Sequence, residues 1–173
     1  MKLNTIRLTV TSYALLALLD QLGEATPYEI KGAMEKSIEN FWPVPHTTAY
    51  EEPARLAAAG YLSVRQEPGG RRRKVYSLTE EGRAALAAWA NDPEVSPPQL
   101  RDEAILKIFA GADPWPLLET RADWHRAKLV ELRGYLDEVR GEEDWRPSEA
   151  TLIAGVAYHR KMLELLEENR PPD

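Results

Sequence analysis

The sequence predicts a mainly α chain in two parts, with one small β-hairpin confined to the first. Three observations carry that prediction. Apolar residues recur at helical spacing over most of the chain. Two short alternating runs flank the turn Pro68-Gly69-Gly70. The run "NDPEVSPP" then interrupts the pattern with three prolines, which no continuous helix tolerates.

Taken in order, Thr11–Leu22 is almost continuously apolar, and Gly23 stops it as a helix C-terminal glycine should. Thr26 is a helix cap, Pro27 suits the first helical position, and Glu29 completes a capping box; Ile30, Ala33 and Met34 form the inner face. The stretch "IENFWPVP" reads as a loop. "HTTAYEEPARLAAAG" reads as a third helix ending at Gly60, with Ala49 and Leu56 inward. Pro53 inside it is expected to bend the helix or tighten the preceding turn. "YLSVRQ" and "KVYSL" alternate apolar and polar residues as two strands, and Thr79 caps a fourth helix. Helix, helix, helix, hairpin, helix is the order of a winged helix-turn-helix.

This places the first domain at 1–91, a linker at 92–98 and a helical domain at 99–173. The second domain holds a short helix in "LRDEAILKIFAG", a long one in "PWPLLETRADWHRAKLVELRGYLDEVR" and a third in "SEATLIAGVAYHRKMLELLEEN". In the last, Leu152, Val156, His159, Leu163 and Leu166 alternate in steps of four and three, the spacing of an antiparallel or coiled-coil seam. Such a row must be buried, either against Leu129, Leu132 and Leu136 of the same chain or against a second copy.

Composition narrows the function. There is no cysteine, which excludes disulfides and thiolate metal sites and suits a reducing cytoplasm. The three histidines, His46, His125 and His159, stand in no metal-ligand spacing. The apolar run near the start is diluted by Thr9, Thr11 and Ser12 and is too short to span a bilayer, so a cytoplasmic protein away from membranes is expected. No glycine-rich phosphate loop or nucleophile elbow occurs. No catalytic residue, metal or cofactor is therefore expected, and the chain reads as a non-enzyme.

The net charge is −6, yet it is uneven: residues 1–90 carry 11 Lys and Arg against 10 Asp and Glu, the remainder 11 against 18. Against that background Arg71, Arg72, Arg73 and Lys74 stand in a row at the hairpin tip. Such a run is either a solvated turn or a grip on phosphates, where cations release condensed counterions. A helix-turn-helix directly upstream favours phosphates. His46, Thr47, Thr48 and Tyr50 fill the start of the third helix, where a recognition helix presents donors and methyls to base edges; the competing role for the threonines is capping. Arg55, further along, reaches either a phosphate or an acidic neighbour. Glu51 and Glu52 are compatible with that face only if they turn away.

The run from "TSYALLALL" through "TPYEIKGAMEKS", Phe41-Trp42, the Tyr50…Arg55-Leu56 register and "EPGGRRRKVYSLTEEG" resembles the PadR-type transcriptional regulators. "LRDEAILKIFAG" and the helices after it are similar to the C-terminal region of the longer PadR subfamily. The resemblance implies a homodimer that represses promoters at a pseudo-palindromic operator in double-stranded DNA and is released by a small molecule. It adds Tyr28 and Lys31 of the second helix to the phosphate contacts, and it places dimerisation on the seam at Leu152, Val156, His159, Leu163 and Leu166. This sequence departs from the family pattern where a proline follows the recognition-helix tyrosine: Glu51 stands there, with Pro53 two residues later. A dimer also has a physical reason, because one small winged unit makes too few base contacts to select a site. For a small aromatic effector, Trp89, Trp124, Tyr158 and His159 are the candidates, in competition with a plain core role. The rival reading is a winged-helix adaptor that docks a protein partner through its wing and binds no specific DNA.

Overall fold

The computed structural model describes residues 6–67, 73–140 and 146–168. Arg71 and Arg72 of the basic run lie outside the described residues. The chain divides into two compact units, Met1–Ser96 and Pro97–Asp173.

In the first unit, α1 spans Val10–Leu22, a two-residue strand β1 spans Glu24–Ala25, and α2 spans Pro27–Lys36. A single 3₁₀ turn at Ile38–Asn40 leads through the proline loop to α3, Thr48–Ala58. β2 (Leu62–Gln66) and β3 (Lys74–Leu78) form the hairpin, and α4 (Glu80–Ala90) closes the unit. The local sequence explains these limits. Gly23 takes φ +73°, a left-handed turn that ends α1. Thr26 and Glu29 form the predicted capping box of α2, and Thr79 caps α4 by accepting from the Gly82 N–H. α1 has a box that the sequence reading missed: Thr9 accepts from Ser12 N–H, and Ser12 reciprocates.

The sheet order is β1-β3-β2, antiparallel throughout, with Ser63 opposite Ser77 and Ala25 opposite Tyr76. β3 is central and buries Val75, Tyr76 and Leu78. β2 is an edge strand that buries only Leu62, so Val64 stays half in water despite the apolar alternation. The core beneath is leucine-rich: Leu15, Leu16, Leu19, Ile30, Leu56 and their neighbours are sealed from solvent. Burial on this scale stabilises by roughly 2 kcal/mol per large side chain before entropy is counted.

Pro53 lies inside α3 and is itself buried. The turn before it is tightened, as Thr48, Ala49 and Tyr50 donate to the carbonyls three residues back at Pro45, His46 and Thr47. One close approach fixes the root of the hairpin. Thr79 Oγ1 donates to the carbonyls of Gly60 (2.8 Å) and Tyr61 (3.0 Å), and the Tyr61 carbonyl lies against Gly82, where a Cβ would meet it at 2.2 Å.

The second unit holds α5 (Glu103–Phe109), α6 (Pro114–Val139) and α7 (Arg146–Glu168). α6 and α7 pair antiparallel, with His125 against His159 and Leu132 against Gly155. For the seam of α7, the structure takes the intramolecular alternative at two positions: Val156 and His159 are 5% and 3% exposed within one chain. Leu152 and Leu163 pack beside them on Leu129 and Leu132, while Leu166 is half-buried. The physical reason is proximity, since α6 offers a matching leucine row on the next helix in sequence. No helix among the described residues is long and apolar enough to cross a membrane.

Candidate nucleic-acid interface

The start of α3 is built to leave its polar groups unspent. Thr47 is the N-cap residue, but its hydroxyl makes no capping hydrogen bond. His46, Thr47 and Tyr50 are exposed and Thr48 is half-buried, while Ala49, Pro53 and Leu56 hold the opposite face in the core. The four candidates for base contact therefore share the solvent side of one helix end.

α2 lies next to them. The Lys31 ammonium donates to Glu35 Oε1 at 2.5 Å, and His46 Nδ1 stands 3.8 Å from the same oxygen. The Glu35 hydrogen bond raises the Lys31 pKa above its ordinary range, and the phenols of Tyr50 and Tyr28 lie near enough to add to that. Tyr28 is 78% exposed, with nothing in the core to hold it. On the wing side, the Glu29 carboxyl is held below the usual range by hydrogen bonds from the Thr26 backbone and hydroxyl, and Arg73 contributes across the gap. Arg73 and Lys74 are both exposed. α2 and the head of α3 thus share one neighbourhood, which collects Tyr28, Lys31, His46 and Tyr50, while Arg73 of the hairpin acts on Glu29 nearer the start of α2.

Arg55 does not join it. Its Nη2 donates to Glu52 Oε1 (2.5 Å) and to the buried Ser12 hydroxyl (2.9 Å), its Nε to Glu52 Oε2 (2.8 Å), and its Nη1 to the Arg7 carbonyl (3.4 Å). Burial pushes the Glu52 carboxyl up, but the bonds from Arg55 and Ser12 outweigh it and hold it low. The ion-pair alternative for Arg55 is the one realised, and it clamps α3 to the head of α1. Glu52 turns away from the exposed face, whereas Glu51 remains on it. Sequence reading missed Glu35, whose signal was its place four residues after Lys31, and Ser12, whose signal was the Thr9-x-x-Ser12 spacing.

The effector candidates separate. Trp89 stacks on Tyr13 in the first unit, centroids 4.8 Å apart and nearly parallel. Trp124, Tyr158 and His159 gather in the second around His125, with Trp124 and Tyr158 edge-on to both imidazoles. His125 and His159 share a hydrogen bond, Nδ1 to Nδ1, of 2.8 Å, so one ring donates and the other accepts. Burial pushes both histidines down, His159 to about 4, with His125 and Lys128 adding to the depression. Arg121 lies over the Trp124 ring at 5.5 Å and pairs with Asp102, the cap of α5. An open groove of about 220 Å³ runs beside Arg121 and Trp124 between α5 and α6. Among the described residues no three His, Asp or Glu side chains converge as a metal site.

With this geometry in hand, comparison with known proteins is decisive. Residues 15–88, from α1 to α4, match the family described as transcriptional regulator PadR-like. The first unit carries a PadR-like domain. It is 27% identical over 137 residues to the negative transcriptional regulator PadR of Bacillus subtilis, covering 75% of each chain. The fold matches the crystal structure of B. subtilis PadR in complex with operator DNA, at a TM-score of 0.79 and 24% identity over 92% of this chain and 96% of that one. It also matches B. subtilis PadR in complex with p-coumaric acid, at 0.73 and 22% identity over 92% and 96%. The winged-helix and C-terminal helical elements of this chain thereby share the fold of B. subtilis PadR.

Proposed function

We propose that this PadR-like chain is a sequence-specific DNA-binding repressor of transcription that works as a homodimer and answers to a small aromatic ligand. The observation that carries it is the uncapped head of α3: Thr47 spends no hydroxyl on its own helix and stands exposed beside His46 and Tyr50. Donors left free at a recognition-helix N-terminus are what base edges require. Arg73 and Lys74 on the wing, and Tyr28 and Lys31 on α2, supply the flanking phosphate contacts, and Arg71 and Arg72 extend the same run. A relative that acts as a negative regulator, and solved structures with operator DNA and with p-coumaric acid, support repression and ligand response.

Dimerisation rests on the second unit. Leu152, Leu163 and Leu166 keep part of their surface after α6 has packed on α7, and α5 leaves Leu106 and Phe109 64% and 87% exposed. For the ligand, the groove between α5 and α6 offers the Trp124 ring and the Arg121 guanidinium, a pair suited to a flat carboxylate, and His159 stands edge-on to that ring. Trp89 serves the first unit's packing in this reading.

The test is binding to labelled duplex from the chain's own upstream region, by fluorescence anisotropy across a salt series, beside a scrambled duplex and an Arg73→Ala/Lys74→Ala variant. With about six phosphate contacts in the homodimer the log–log salt slope is roughly −5, and the variant, which removes two cations from each protomer, flattens it by roughly 3 to 4. Weak binding that ignores sequence and both cations defeats the proposal and returns the wing to the adaptor reading.

A further inference from the structure

Glu35 is hard to explain as a helix residue. It sits in the last turn of α2, where the helix dipole disfavours an anion, and C-terminal to its lysine, the weaker order for an i,i+4 pair. The pair is solvent-exposed, so it contributes little to stability. What the carboxylate does hold is two groups from two elements: the Lys31 ammonium of α2 and the His46 imidazole ahead of α3. The Lys31 hydrogen bond in turn keeps the Glu35 carboxyl ionised below the usual range. On a face turned to a polyanion, an ionised carboxylate occupies the place a phosphate oxygen would take.

We propose that Glu35 is a built-in competitor for backbone phosphate, withholding Lys31 from sequence-blind duplex and releasing it only where base contacts at the head of α3 hold the duplex close enough to displace the carboxylate. This rests on the DNA-binding reading above. Glu35 is then a specificity-determining residue that never touches a base. Lys31 contributes to the salt dependence of specific complexes and not to that of non-specific ones. His46, whose Nδ1 stands 3.8 Å from the same oxygen, is uncovered in the same step.

The experiment compares wild type, Glu35→Gln, Lys31→Ala and the double variant on the upstream and scrambled duplexes, with thermal unfolding alongside. Glu35→Gln should tighten the scrambled duplex by about tenfold at about 0.1 M salt and steepen its salt slope by roughly 2, the signature of one added phosphate contact from each protomer. The gain on the upstream duplex should be smaller, so the preference between the two narrows. Lys31→Ala in the Glu35→Gln background should remove most of the gain, and the melting temperature should not move. If wild type prefers its upstream duplex but Glu35→Gln leaves the scrambled duplex unchanged or weaker, the carboxylate positions Lys31 instead of withholding it, and the inference fails alone. If wild type binds neither duplex with salt dependence, the DNA-binding reading fails and takes the inference with it.

Discussion

The two units bury their apolar residues on different terms. In the first, a dozen buried side chains drawn from α1, α2, α3 and all three strands close one core, and the large hydrophobics left outside include Tyr28, Phe41, Trp42 and Tyr50 around the head of α3. In the second, Leu129, Leu132 and Val156 form a thin seam between two long helices, while Leu100 ahead of α5 and Ile105, Leu106 and Phe109 along it face water. One unit is finished by its own chain. The other carries more apolar surface than two helices can cover. The difference teaches that the first unit can be rigid by itself, whereas the second keeps apolar surface that its own helices leave uncovered.

Breaking the first core should give the largest effect. Leu56 is fully buried, and Leu56→Ala should cost about 3–4 kcal/mol in urea unfolding of the first unit, with the same value at every protein concentration. Acid should act on the second unit instead. Both buried histidines titrate below their ordinary value, so the unfolded chain takes up protons first as the pH drops below about 6.5. Stability present above that pH is lost as it falls toward 4, by at most roughly 3 kcal/mol from His159. A His125→Leu/His159→Leu variant should flatten that part of the pH profile, and an unchanged profile would mean the pair is not its source.

A smaller effect belongs to the clamp between α3 and α1. Arg55→Ala removes the cation from Glu52 and one of the donors to the buried Ser12 hydroxyl and should cost about 1–2 kcal/mol, which Arg55→Lys restores only in part because a lysine cannot fork to both. The smallest effect sharpens the comparison most. Leu106→Ser/Phe109→Ser should shift stability by less than about 0.5 kcal/mol in dilute protein, because those side chains have little to lose inside one chain. Sedimentation of the same variant should show weaker self-association than wild type.

The sequence made most of the first unit legible because its punctuation is local. Gly23, Thr26 with Glu29, and Thr79 mark helix ends by chemistry that needs only four or five neighbouring residues. β1 was not legible: two residues pair with β3 some fifty positions away, and no periodicity can register in so short a strand. The fate of α7 was not decidable either, since a seam spaced in fours and threes fits a partner copy and a neighbouring helix equally well. At the candidate interface the exposed residues could be read from their place on a helix of known start. The partners of Arg55 could not, because Ser12 comes from 43 positions upstream and meets it only after α1 and α3 have packed.

The contact beneath the hairpin has a consequence for mutational history. With the Tyr61 carbonyl against the bare α-carbon of residue 82, that position has an alphabet of one letter. Any single-nucleotide change at its codon that alters the residue must either push α4 away from the strand or swing the strand, and the strand carries the wing. A side chain at 82 therefore disturbs the seat of the hairpin, whereas exposed residues such as Arg73 and Lys74 can change without that cost.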